Sequence, residues 1–241
     1  MEKLVRVSFF GPFKIETDMG ILTQEDINSP LILKFLSYLI LNRHSIISPD
    51  VLSTVLWHDE TDNPYASLRA LAFRARRAIR SVFPHDDFIM AGAGTYQINS
   101  EYTIITDTEE LPQIFSRLKA TGDYKEAADF LNKSGHPFCK KIATDMWGLT
   151  VETYYNSQLM SLLCHTVELL LSNESYDDAI KLSSMGLTVD SLSERLHSYI
   201  IKALKAQGHI SLAREHYNIS IQLIYKEHGF RPSAILTDSI K

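Results

Sequence analysis

Two polar-proline pairs, Ser48-Pro49 and Asn63-Pro64, each stand directly ahead of a run with apolar periodicity, and Gly92-Ala93-Gly94 follows the second run. Ser or Asn before a helix accepts orphan backbone N–H groups, and proline at the first helical position has no N–H to lose. Each pair therefore starts a helix and sets its direction. The first pair launches a short helix over Asp50 to Trp57, and the second a longer one from Asn63 to Phe83, ending ahead of Pro84. Glycine then permits a tight reversal, so two strands, Phe88 to Ala91 and Thr95 to Asn99, close as a hairpin.

Upstream, Pro30 opens LILKFLSYLILN, whose leucines and Tyr38 fit a mostly buried helix ending near Asn42. Before it the chain alternates as a strand does. Val5, Val7 and Phe9 fall on one side and Leu4, Arg6 and Ser8 on the other, and after a Gly11-Pro12 turn a second strand covers Phe13 to Thr17. Strands, three helices and a hairpin in this order form a winged helix-turn-helix with an N-terminal sheet, closing at about residue 104. The remainder, 105–241, is helical in pattern. SYDDAIKL and HISLAREH place Tyr176 against Ile210 and Ala179 against Ala213 at the tetratricopeptide period. An out-of-phase copy, GDYKEAADFL with Tyr124 and Ala127, precedes an irregular connection from Ser134 to Gly148. The expected architecture is mostly α with a small β component: a winged helix over 1–104, then a tetratricopeptide-like all-α domain over 105–241.

Charge narrows the function. The 241-residue chain carries a net −5, which argues against coating a polyanion broadly. Residues 1–100 nevertheless hold ten Lys/Arg, and five of these lie between Arg69 and Arg80. No apolar run reaches the ~18–20 residues a membrane span needs, and the start lacks signal-peptide order, so the expectation is a cytoplasmic protein without a membrane partner. Cys139 and Cys164 lack metal-ligand spacing and fit buried thiols. The histidines worth testing are His209 with His216 and the neighbouring Cys164-His165, and neither set supplies a third ligand. With no phosphate-binding loop, nucleophile elbow or paired carboxylates either, no catalytic residue, metal or cofactor is expected.

The arginine-rich helix has two faces. At 100° per residue Leu68, Ala72, Ala75 and Ile79 make a narrow apolar stripe. Ala66, Ala70, Phe73, Arg74, Arg77 and Ser81 lie opposite, with Arg69 and Arg80 at the margin. Arginine's planar fork grips phosphate oxygens or pairs with guanine O6 and N7, and Phe73 suits a thymine methyl or a sugar. The plain alternative is a solvated face paired with Asp59, Glu60, Asp62, Asp86 and Asp87. Helix pair and hairpin together favour a major-groove reader, with Arg69, Ala70, Phe73, Arg74, Arg76, Arg77 and Arg80 on the helix and Gly94 and Thr95 at the wing. The wing carries no Lys or Arg between Asp87 and Asn99, which leaves its backbone N–H groups for phosphate, and Tyr96 is expected to pack.

These residues carry a family resemblance. Gly11-Pro12, Leu36-Ser37-Tyr38-Leu39, Val51 to Trp57, Phe73-Arg74-Ala75-Arg76-Arg77 and Gly92-Ala93-Gly94-Thr95-Tyr96 resemble, in order, the response-regulator-type winged helix of the Streptomyces antibiotic regulatory proteins. The helical part resembles that family's bacterial transcriptional activation domain, down to His228-Gly229-Phe230-Arg231-Pro232-Ser233. Phe73 departs from the family's small polar residue, and Leu31 to Leu33 from its basic ones. The resemblance implies a transcriptional activator that binds double-stranded DNA at direct repeats roughly 10 to 11 base pairs apart, contacts RNA polymerase and lines up as a homo-oligomer on DNA. Two alternatives stay open. One is a tetratricopeptide-like scaffold whose winged helix contacts protein through Leu31 to Leu33 and Phe73; the other is a regulator sensing a ligand among Phe138, Trp147, Tyr154 and Tyr155.

Overall fold

The computed structural model describes residues 3–57, 63–85, 87–92, 94–229 and 231–241, the side chain of His228 excepted. Contacts divide the chain into two units, Met1–Asp107 with Cys139–Thr153, and Thr108–Phe138 with Tyr154–Lys241. The fold is a winged helix followed by helical pairs, mostly α with a small β component. The division at 104/105 read from sequence differs from the contact units in one main respect: residues 139–153 return to the first unit.

In the first unit, β1 (Lys3–Ser8), β2 (Lys14–Thr17), β3 (Gly20–Thr23) and β6 (Tyr102–Thr106) form a sheet in the order β3-β2-β1-β6. β1 is antiparallel to β2 and parallel to β6, with Lys3 opposite Tyr102 and Val7 opposite Thr106. Val5, Val7, Ile15, Leu22 and Ile104 point inward and are buried, and Phe9 continues that row. Three elements go beyond the sequence expectation: β3, β6 and the short helix α1 (Gln24–Ile27). α1 is held by a capping box, in which Thr23 and Asp26 satisfy each other's backbone N–H groups.

Helix α2 (Pro30–Leu41) begins at the Ser29 cap and buries Phe35, Leu36, Leu39 and Ile40. Ile32 and Leu33 are also buried, 6% and 2% exposed, which corrects the expectation of a sticky Leu31–Leu33 surface. Ile32 and Leu33 are core, so the scaffold alternative keeps only the half-buried Leu31 and the exposed Phe73 of its contact patch. α3 (Pro49–Trp57) and α4 (Pro64–Ala78) pack on one another and on α2, and β4 (Ile89–Gly92) pairs with β5 (Thr95–Ile98) as the hairpin. Tyr96 is buried, meets Phe35 edge-on at 6.1 Å and exchanges two backbone hydrogen bonds with Ile47. The hairpin is thereby stitched to the loop ahead of α3.

The returning segment closes this unit. Cys139 donates its N–H to the Phe9 carbonyl at 2.8 Å, and Trp147 lies against Tyr38 at 5.2 Å. The nearly buried Lys34 ammonium donates to the Asp145 carboxylate and the Val55 carbonyl. Burial pushes that ammonium's pKa down, which makes the Asp145 charge the counterweight to desolvation. At Gly148 a Cβ would come 2.1 Å from the Ile142 carbonyl oxygen, so only glycine permits this approach.

The second unit takes in most of α5 (Asp107–Thr121), α6 (Lys125–Ser134), most of α7 (Met146–Ser172), α8 (Tyr176–Gly186), α9 (Glu194–Ala206), α10 (Ile210–His228) and α11 (Ala234–Thr237). α8 and α10 begin at Tyr176 and Ile210, and Ala179 and Ala213 are fully buried, in keeping with the 34-residue period of that motif. α8 packs on α9, and α9 on α10 and α11. Small residues set the spacing: a Cβ on Gly186 would meet Leu196 at 2.7 Å and Leu163 at 3.0 Å. Phe138 is buried and stacked on Tyr155, the exposed Tyr154 meets Tyr155 edge-on at 5.1 Å, and Trp147 packs on Tyr38 in the first unit.

Candidate nucleic-acid interface

Helix α4 shows how its sequence divides its surface. Asn63 caps it by accepting the Ala66 N–H at 3.0 Å, and Pro64 takes the first helical position. Leu68, Ala72, Ala75 and Ile79 are buried, with Leu71 widening the stripe. Arg69, Ala70, Phe73, Arg74 and Arg77 are exposed. The helix ends at Ala78, about a turn short of the expected Phe83. Ile79 leaves helical geometry as the cap, and Val82 and Phe83 both turn back onto the Ile79 carbonyl. Val82 and Phe83 are buried by that turn, and Pro84 disfavours helix at the residue before it. Arg80 therefore lies beyond the helix, exposed in the following turn.

The arginines take different positions. Arg76 is half-buried and donates from Nε and Nη2 to the Ile89 carbonyl at 3.1 and 2.8 Å, which ties α4 to the hairpin. Arg69 faces the wing across a cleft of about 260 Å³, also lined by Tyr65, Gly92, Gly94 and Thr95. Among the described residues Arg69, Arg74 and Arg77 have no ion-pair partner, and Arg77 lies 5.9 Å from the centre of the Phe73 ring. Of the five acids that a plain solvated face would use, Asp87 is taken by Lys3 at 2.9 Å and by the Tyr102 hydroxyl at 2.6 Å. Desolvation raises the Asp87 pKa, but those two donors overcome it and hold the carboxylate below its usual range. Burial, and then the same contact, push Tyr102 up to about 12. Asp59, Glu60, Asp62 and Asp86 lie outside the described residues, as does Ala93 at the wing tip.

At the wing, Gly94 sits at φ +78° with open space where a Cβ would project, and the Thr95 hydroxyl donates to the Gly92 carbonyl at 2.8 Å. Burial raises the pKa of Tyr96, while the fields of Arg69 and Arg76 pull it back, so positive potential reaches the hairpin root. Tyr65 was not singled out by sequence. Its hydroxyl donates to Asp50 at 3.1 Å, which joins α3 to α4 at the cleft, and an aromatic just after a capped proline is the signal that marks it. Brought together, these groups form one surface: an arginine-bearing helix face, a small-residue patch at Ala66 and Ala70, and a wing tip beside Arg69.

The other candidates resolve differently. His216 pairs with His197 across 3.0 Å rather than with His209, which stands at the start of α10 and accepts the Ala213 N–H through its backbone carbonyl. Burial lowers the pKa of both paired rings. Cys139 and Cys164 are buried, and burial raises both thiols above their usual range. Among the described residues no three His, Cys, Asp or Glu side chains gather as a metal site, and no helix is long and apolar enough to cross a membrane.

No known family model matches this chain, and no curated protein matches it. Among solved structures it is similar to Mycobacterium tuberculosis EmbR in complex with a low-affinity phosphopeptide, at 16% identity and a TM-score of 0.71. That likeness covers 99% of this chain and 64% of the EmbR chain, so this chain spans less than two thirds of its neighbour's length. What is shared is the fold, in both of its parts.

Proposed function

We propose that this chain is a sequence-specific DNA-binding transcriptional activator of the Streptomyces antibiotic regulatory type, working in the cytoplasm without a cofactor. α4 enters the major groove with Ala66 and Ala70 toward the bases. Arg69 and Arg74 hold phosphates, Arg77 reads a base and Arg80 flanks the site. The wing tip at Gly94 and Thr95 offers backbone N–H groups to a neighbouring phosphate, and Arg76 keeps hairpin and helix in register. The helical unit positions adjacent protomers on direct repeats roughly 10 to 11 base pairs apart and contacts RNA polymerase.

The observation that carries this proposal is the exposed α4 face: Arg69, Arg74 and Arg77 stand there without an ion-pair partner among the described residues while the opposite face is buried. Three guanidinium groups on one helix face, unpaired among the described residues, repel one another, and a polyanion relieves that repulsion. The fold shared with EmbR supports the placement of a winged helix ahead of helical pairs. Selection of bound duplexes from a randomised pool tests the proposal. Enrichment of repeats at one-turn spacing, with binding that weakens steeply in salt, is the expected result, whereas no salt-sensitive binding to any duplex overturns it.

A further inference from the structure

We infer that Phe73 and Arg77 act together as the reader of a thymine-guanine step, the phenyl ring taking the thymine methyl and the guanidinium taking O6 and N7 of the guanine on its 3′ side. This rests on α4 entering the major groove as proposed above. Phe73 is 60% exposed in the middle of the outward face, so the core does not explain a phenyl ring there. Arg77 is one helical turn on, at i+4, on the same side. Its guanidinium carbon lies 5.9 Å from the ring centre, within the range in which a cation is held over an aromatic face. Ring and guanidinium thus form one preorganised unit, apolar at one end and all donor at the other.

In the major groove a thymine projects its C5 methyl about one stacking rise, ~3.4 Å, from the next base on its strand. When that base is guanine, the neighbour presents two acceptors, O6 and N7. An apolar spot beside a double acceptor complements an aromatic ring beside a donor fork. Other steps fit worse. Replacing thymine by cytosine removes the methyl, and replacing guanine by adenine sets the N6 amino donor against a guanidinium that has no acceptor to offer. Ala70, on the same exposed face, carries too little bulk to hold the ring away from the bases.

The test uses the full chain and its best duplex from the randomised pool, with affinity read by fluorescence anisotropy. Each thymine is replaced in turn by deoxyuridine, which removes only the methyl. One thymine 5′ to a guanine should weaken wild-type binding roughly fourfold, the value of one methyl-sized apolar contact, and the same change should leave Phe73→Ala unaffected. Placing 7-deazaguanine at the adjacent guanine should weaken wild type roughly fivefold and leave Arg77→Ala unaffected. Deoxyuridine effects that are absent, or equal in wild type and Phe73→Ala, overturn the inference while salt-sensitive binding keeps the proposed function standing. A Phe73-dependent thymine not followed by guanine overturns the pairing with Arg77. Wild type that binds no duplex overturns both.

Discussion

The face of α4 and the junction of α7 with α9 use the same residue type in opposite ways. At the junction, Arg195 donates to Glu168 at 2.7 Å and to the Tyr199 hydroxyl at 2.6 Å, while Tyr199 donates to Glu168 at 2.6 Å. That guanidinium is raised well above its usual pKa, first by Glu168 and then by Tyr199, and its hydrogen bonds are spent inside the unit. On α4, Arg69, Arg74 and Arg77 have no such carboxylate among the described residues. An internally neutralised arginine cross-links helices; an unneutralised row of them repels itself and awaits an external anion. On the proposed reading, that difference separates a stability residue from a binding residue.

The largest effect belongs to a cation whose neutralisation is nearly buried. Asp145→Ala leaves the Lys34 ammonium without its counter-charge, at a cost of ~3–5 kcal/mol in the first unit, visible as a large fall in the denaturant midpoint. Lys34→Met with Asp145→Ala together should recover much of that loss, because an apolar side chain of similar length needs no counter-charge. Next comes the α4 face. Arg69→Ala with Arg74→Ala should cut DNA affinity by one to two orders of magnitude near physiological salt, while the melting temperature stays within about a degree.

Smaller still is the internal pair. Arg195→Ala should cost roughly 1 kcal/mol or less, since Arg195 and Glu168 are about half exposed and solvent screens them, and it should leave the salt dependence of DNA binding unchanged. The least effect comes from pH. His197 donates from Nε2 to the Ser191 carbonyl at 3.1 Å, so its Nδ1 accepts from His216. Both rings titrate below their usual range in the fold, so the unfolded chain takes up protons first. Stability is fully present above the unfolded value near 6.5 and falls as pH drops below it. Melting temperature followed from pH 7.5 to 5.5 should decline, and His216→Gln should flatten that decline.

What was legible in sequence shares one property: the signal is local. Ser48, Asn63 and the prolines after them mark helix starts within three residues, and the helices begin there. The buried stripe of α4 and the phase of α8 against α10 likewise follow from spacing along a single stretch. Long-range pairing left no such mark. β6 joins β1 in parallel across almost the whole first unit, and residues 139–153 return to Phe9, Lys34 and Tyr38 with no local pattern to announce it. The end of α4 was missed because Ile79, Val82 and Phe83 keep an apolar rhythm after the helix has stopped, so periodicity ran on where backbone geometry did not. At the candidate interface the exposed arginines and Phe73 were readable from helical angle. The tie between Arg76 and the Ile89 carbonyl was not, because its acceptor is a backbone atom on another element.

On the proposed reading Arg69 and Arg74, which have no ion-pair partner among the described residues, hold phosphates. The direct measurement is the slope of log affinity against log salt for the selected duplex, for wild type and for Arg69→Ala with Arg74→Ala. Two lost phosphate contacts should flatten the wild-type slope by roughly 1.8, at about 0.9 per phosphate, with Arg195→Ala leaving it unchanged. Equal slopes for wild type and the α4 double variant would mean that Arg69 and Arg74 hold no phosphate.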